Sequence, residues 1–341
     1  MTRFILQSHR ADLNLRHAFT IARGTKSVVE NVVVQLYADG HTGWGEAAPN
    51  LRYHEDAGKV ETFFDQLAPN GVLLLDTGQE LEQKIRSTAG YVASGAAAVE
   101  MAWWDWVGKS RSEPIWRLWG LPDIGPVSSF TIGLDEPEII QKKVLEADRY
   151  PVLKVKLGGK NDREMIRTIR RVTDKPVRVD ANEGWTSLEE ASGMLDWLAG
   201  KNIELVEQPM PSFLNREMAR LKKRTSIPLI ADESFLSEES LADLQHGFHG
   251  INIKLMKIGG LSKAREKMKE ARELGLRIMI GCMIETSLAN TAGAILGVEA
   301  DYVDLDGHLL IDSDPYEGLT LNEEYRICLP DRPGLGVIRR K

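Results

Sequence analysis

The chain has 341 residues, 43% of them hydrophobic and 27% charged, a balance that supports a large buried core without disulfides. With 43 Lys and Arg against 50 Asp and Glu the net charge is −7, which excludes a broad basic surface for nucleic acid or acidic lipid. The two cysteines, Cys282 and Cys328, form no CxxC pair, and no apolar run approaches the roughly 18 residues of a membrane span. A cytoplasmic protein is expected.

The first third reads as α+β. A β-branched run over Val32–Leu36 reaches the turn dipeptide Asp39-Gly40, and a second strand follows through Trp44. Three helical patterns come next, the last in SGAAAVEMAWWDWVGK with Ser94 placed as its N-cap. The loop LPDIGP, ending at Pro126, marks a boundary. The expected division is an α+β domain over residues 1–123, a (β/α) barrel over 124–318, and a C-terminal segment over 319–341 that packs back on the first domain. Beyond the boundary a unit of about 25 residues repeats, the length of a short strand plus a helix. The strand-like segments are VSSFTIG, VLKVKLG, VRVDAN, IELVEQP, IPLIADE, INIKLMK, RIMIGCM and YVDLD. Between them, stretches such as NDREMIRTIRRV carry apolar residues at three- and four-residue steps. Parallel alternation of this kind predicts a TIM-type barrel. An open doubly wound sheet is the alternative, but no GxGxxG follows the first strand of a unit.

Strands buried on both faces should be almost wholly apolar. Here, successive segments carry charge toward their C-terminal ends, at Lys154 and Lys156, Asp180, Glu207, Asp232 with Glu233, Lys254, Glu285, and Asp304 with Asp306. A single such charge would as readily begin a solvated loop, but in barrel enzymes a ring of them marks the active-site face. Asp180, Glu207 and Asp232 close three consecutive segments and can converge. They form a hard, all-oxygen donor set suited to Mg²⁺, with Mn²⁺ next. Glu233 points the other way on an ideal strand and is expected behind that set. Lys154 and Lys156 share one strand face, and Lys254 comes four strands later, across an eight-strand ring. Burial and nearby positive charge would bring such a lysine from about 10.4 toward roughly 7–8, where it is a usable base. A divalent ion beside a carboxylate acidifies its α-proton. Opposed lysines can then remove and return that proton, which is racemisation or epimerisation; with a β leaving group the result is elimination or cycloisomerisation. A Schiff-base aldolase through Lys254 and a non-catalytic binding barrel are the competing readings.

The motifs KVK at Lys154–Lys156, VDANEGW from Val179, VEQP from Val206, ADES from Ala231, NIKLMKIGG from Asn252 and MIET from Met283, with GWGEAAP from Gly43, resemble those of the enolase superfamily. The likeness is to its muconate-lactonizing subgroup, in the same order and over nearly the whole chain. It implies a modified TIM-type barrel under an α+β capping domain. It also implies one Mg²⁺ per subunit on Asp180, Glu207 and Asp232, acid/base roles for Lys156 and Lys254 on the S and R faces, and Lys154 as an auxiliary cation. DLD at Asp304–Asp306 resembles the DxD of dipeptide epimerases, whose aspartates meet the substrate's α-ammonium group. The GHLLI after it departs from the small residue and proline usual there. Phe19, Ile21 and Arg23 fall in the first loop over the barrel mouth, and Tyr53 with His54 in the second. Arg23 matches a position that pairs with the glutamate side chain in members acting on L-Ala-D/L-Glu, and Phe19, Met283 and Glu285 complete the expected substrate contacts. The expectation is a homo-oligomeric dipeptide epimerase working on a muropeptide fragment. A cycloisomerase or o-succinylbenzoate synthase of the same superfamily is the alternative.

Overall fold

The structure, a computed structural model, describes residues 1–21 and 24–340. An antiparallel sheet forms first, from β1 (Thr2–Ile21), β2 (Gly24–Ala38), β3 (His41–Ala47) and β4 (Val72–Leu75), in the order β3-β2-β1-β4. The chain turns from β2 to β3 at Asp39-Gly40, whose φ values of 50° and 80° are those of a two-residue hairpin turn, as the dipeptide predicts. Helices α1 (Ala57–Leu67), α2 (Gly78–Ser87) and α3 (Ala93–Ser110) cover the sheet. Strand β2 has two buried faces: Val32, Val34 and Leu36 pack with Phe4, Phe63 and Trp103, whereas Val33 joins the barrel-side core. The glycines of GWGEAAP let β3 lie directly on α3. A Cβ on Gly43 would come 1.8 Å from Ala102 O, and one on Gly45 1.9 Å from Ala98 O.

Ser94 does not cap α3. The helix starts at Ala93, and the carboxylate of Glu55 accepts from Ala93 N at 2.7 Å and Ser94 N at 3.2 Å. A remote acid thus satisfies two orphan amides at the positive end of the helix dipole. Glu55→Ala should destabilise the protein by about 1–2 kcal/mol, read as a lower urea midpoint at unchanged slope. An unchanged midpoint would show that water replaces the carboxylate without cost.

The barrel follows. β5 (Ile124–Val127) pairs with Arg326–Cys328 outside it. Then β6 (Phe130–Ile132), β7 (Leu153–Lys156), β8 (Val177–Asp180), β9 (Ile203–Glu207), β10 (Leu229–Ala231), β11 (Gly250–Ile253), β12 (Arg277–Gly281) and β13 (Tyr302–Asp304) form one parallel sheet in chain order. Ser129 N donates to Val303 O at 3.2 Å and Leu305 N to Ser128 Oγ at 3.1 Å, which nearly closes the ring. All eight predicted strands are present. INIKLMK, however, is extended only to Ile253; after Lys254 the chain turns into a short helix over Leu255–Ile258.

Because alternate residues share a face, the lumen is layered. Leu205, Ile230, Met279 and Tyr302 make an apolar floor. Two residues further along the same strands stand Glu207, Asp232, Gly281 and Asp304. Strand β1 reaches the barrel mouth, where Thr20 O accepts from Leu134 N at 3.1 Å and Asn14 O from Asp312 N at 2.8 Å. The C-terminal segment hydrogen-bonds to α3 and the chain after it, through Leu335 N to Asp105 Oδ1 at 2.8 Å and Ile115 N to Gly334 O at 2.9 Å. No helix among the described residues is long and apolar enough to cross a membrane.

Candidate active site

The charges at the strand ends are buried, so they do not begin solvated loops; Asp180 and Glu207 are both 0% exposed. Asp180, Glu207, Asp232 and Asp304 each meet an ammonium group. Lys154 Nζ lies 2.6 Å from Asp304 Oδ2, 2.7 Å from Glu207 Oε2 and 3.2 Å from Asp180 Oδ2. Lys156 Nζ is 2.6 Å from Asp180 Oδ2. Lys254 Nζ is 2.9 Å from Asp232 Oδ2 and 4.0 Å from Glu207 Oε1. Among the described residues no three His, Cys, Asp or Glu side chains are drawn together closely enough to hold a metal ion; ammonium groups stand between the acids.

The strands also set how each acid points. Asp180 and Glu207 are register partners on β8 and β9. Asp180 Oδ1 accepts from Asn182 N at 3.0 Å, Glu207 Oε1 from Asn252 Nδ2 at 2.7 Å, and Asp232 Oδ1 meets Lys257 Nζ at 2.6 Å. Among the described residues Glu207 Oε2 is buried and accepts no hydrogen bond, and it pairs with the Lys154 ammonium at 2.7 Å. Three aimed, buried carboxylates on consecutive strands suit a hard divalent cation. Glu233 faces Asn182, whose Nδ2 donates to its Oε1 at 3.3 Å.

The proton affinities differ from the expectation. Burial alone would depress the Lys254 ammonium, but Asp232 and Glu207 outweigh it and hold the group well above the ordinary lysine value. Lys154 is raised likewise, with Asp304, Glu207 and Asp180 overcoming burial. On the acid side, burial would raise Asp180 and Asp232, yet lysines prevail and keep both below the carboxylate range. Glu207 is pushed up by burial and by Asp180. The expectation weighed burial and neighbouring cations; the acids placed around Lys154 and Lys254 reverse the sign.

Above this layer opens a cavity of about 510 Å³, lined by Lys156, Lys254, Asp304 and Asp306 from the barrel and by Phe19 and Tyr53 from the capping loops. Asp304 accepts from Ser129 Oγ at 2.7 Å and meets Lys154, while Asp306 Oδ2 accepts from Thr131 N at 2.6 Å. Burial and Asp304 push the Asp306 carboxyl up to about 6. The Phe19 ring sits 6.0 Å from Lys156 Nζ. Met283 lines the cavity, but Glu285 and His54 do not. Glu285 instead accepts from Met283 N at 2.9 Å and is pushed up to about 8 by burial and by Glu46. Arg23 lies outside the described residues.

Some residues at the site escaped the sequence reading. Lys257 is fully buried, with Nζ on Asp232 Oδ1 and Asp232 O, each at 2.6 Å. The second lysine of KLMK was the available signal, three residues after Lys254 and therefore on the same side of a helical turn. Arg52 forms a bidentate pair with Glu183 at 3.0 Å for each bond, pinning the second capping loop to the barrel rim. Glu46 accepts from Asn31 Nδ2 at 2.8 Å and Thr286 N at 3.0 Å, which docks the capping domain on the segment carrying Met283.

The family described as mandelate racemase / muconate lactonizing enzyme, N-terminal domain, matches residues 6–120, and that described as enolase C-terminal domain-like matches residues 140–339. The L-Ala-D/L-Glu epimerase of Bacteroides thetaiotaomicron is 39% identical over 332 residues, 96% of this chain and 86% of that protein. The L-Ala-D/L-amino acid epimerase of Pedosphaera parvula is 41% identical over 337 residues, 96% of this chain and 97% of that protein. The structure of a dipeptide epimerase from Cytophaga hutchinsonii, complexed with Mg and the dipeptide D-Ala-L-Val, matches with a TM-score of 0.89 at 25% identity, covering 100% of this chain and 96% of that one.

Proposed function

The chain belongs to the mandelate racemase/muconate lactonizing enzyme family of the enolase superfamily and is an isomerase, and we propose on this premise that it epimerises dipeptides by two-base proton transfer at the α-carbon of the C-terminal residue. The observation that carries the reading is the pair Lys156 and Lys254, four strands apart, both lining one cavity above three buried carboxylates. In this reading Asp180, Glu207 and Asp232 hold one Mg²⁺ per subunit, with Mn²⁺ the nearest substitute. A bound Mg²⁺ would acidify the α-proton of a substrate carboxylate and draw off the negative charge that keeps Lys254 protonated.

The chain's own residues supply the rest. Lys156 and Lys254 take and return the proton on opposite faces, while Lys154, already between Glu207, Asp180 and Asp304, contributes fixed positive charge. Asp306 and Asp304 receive the substrate's α-ammonium group. Asp304 already serves Lys154 and Ser129, so Asp306 carries more of that charge, and an arriving ammonium would keep its carboxyl ionised. Phe19 and Met283 shape the pocket, and Arg23 is the proposed partner of a glutamate side chain.

The substrate we favour is L-Ala-D/L-Glu, a muropeptide fragment. The name of the Bacteroides relative supports it, and that of the Pedosphaera relative supports a wider range of C-terminal residues. The same reading places the protein in the cytoplasm, in keeping with two free cysteines, and as a homo-oligomer. A cycloisomerase or synthase is not favoured, because its substrate brings no ammonium for Asp304 and Asp306. A dipeptide library incubated with enzyme and Mg²⁺ in D₂O should take up one α-deuterium on the C-terminal residue, with Ala-Glu among the fastest. Lack of exchange on every dipeptide, read by mass spectrometry, would refute the assignment.

A further inference from the structure

Five cationic side chains among the described residues line the cavity: Lys26, Arg52, Lys154, Lys156 and Lys254. Four are already engaged. Lys154, Lys156 and Lys254 meet the acids of the barrel, and Arg52 is held by both oxygens of Glu183. Lys26 has no ion pair, side-chain hydrogen bond or ring partner among the described residues. It lies on β2 directly opposite Phe19 on β1. Residues so paired across an antiparallel ladder project from the same face, with Cβ atoms about 5 Å apart. The Lys26 side chain therefore lines the cavity beside the Phe19 ring, whose centroid is 6.0 Å from Lys156 Nζ.

An uncompensated cation at the mouth of a cavity selects for an anion. The terminal carboxylate of a dipeptide is committed to the acid-and-lysine layer below. The remaining anionic group such a substrate can offer is a side-chain carboxylate. We propose that Lys26 is a specificity-determining residue whose ammonium pairs with the side-chain carboxylate of an acidic residue at the epimerised position. The inference rests on the dipeptide-epimerase reading and adds to it the residue that distinguishes an acidic side chain from its amide.

The test compares kcat/KM for L-Ala-L-Glu and L-Ala-L-Gln, which differ in charge but hardly in shape. The full-length enzyme with Mg²⁺ is assayed as wild type, Lys26→Met and Lys26→Arg. The Glu-to-Gln ratio should fall about tenfold in Lys26→Met, chiefly through KM, and should be restored to within about threefold by Lys26→Arg. Added salt should lower the ratio in the wild type and leave that of Lys26→Met flat. The pair L-Glu-L-Ala and L-Gln-L-Ala should show no comparable change; a change confined to that pair would place the cation at the wrong end of the substrate and overturn the proposal. So would an unchanged Glu-to-Gln ratio, or an equal loss on both members. Failure of the wild type to exchange any dipeptide in D₂O would instead defeat the epimerase reading and this proposal with it.

Discussion

Replacing either Lys156 or Lys254 with alanine should abolish interconversion of the two epimers, because inversion requires a donor and an acceptor on opposite faces of one carbon. General-base catalysis by a positioned side chain contributes about 10²–10⁴ in rate, so loss of either base takes turnover to the limit of detection. Each variant should retain half a reaction. Lys156→Ala should lose α-proton exchange of the L form, and Lys254→Ala that of its epimer. Both variants should fold, since neither orphans a buried charge. Asp180 keeps Lys154 at 3.2 Å, and Asp232 keeps Lys257 at 2.6 Å. Exchange followed by proton NMR in D₂O, with chiral analysis of the product, separates the two faces. Interconversion of both epimers by either variant at near wild-type rate would sink the two-base mechanism.

Stripping divalent ions should silence the enzyme, and Mg²⁺ should restore it. Asp180→Asn, Glu207→Gln and Asp232→Asn should each reproduce the silent state at nearly constant shape. These acids are aimed by Asn182 N, Asn252 Nδ2 and Lys257 Nζ respectively, so an amide disturbs charge more than position. A second readout does not depend on turnover. A ligand that binds only the folded state raises its stability by mass action, so Mg²⁺ should raise the melting temperature of the wild type and leave the three variants unmoved. Full turnover in excess chelator, with residual metal verified below the enzyme concentration, would remove the ion from the mechanism. An equal thermal shift in all four proteins would remove these acids as its ligands.

Much of this was legible before folding. Strand periodicity alone places Lys154 with Lys156 on one face, and Leu205 with Glu207, because side chains alternate with a period of two whatever surrounds them. The charged strand ends stood out because two-sided burial excludes charge unless it is paired. Other features could not be read locally. INIKLMK is a short apolar run, for which strand and helix patterns coincide; only packing makes Leu255–Ile258 a helical turn and brings Lys257 to Asp232. MIET follows β12 directly, but the chain leaves the strand after Gly281 and carries Glu285 out of the cavity lining, toward Met283 N and Glu46. The cap of α3 comes from Glu55, 38 residues upstream of Ala93, and no local rule of helix starts reaches that far.

By itself the sequence determined the repeat, the barrel and the residue types at its mouth, since these follow from hydrophobic period and from the order of strands along the chain. The tertiary structure alone decided how strongly Lys154 and Lys254 hold their protons, which cation in the cavity is left without an acid among the described residues, and how the capping domain docks. Those are properties of distances between side chains far apart in the chain. A Coulomb interaction depends on separation and surroundings, and neither is a property of any one segment.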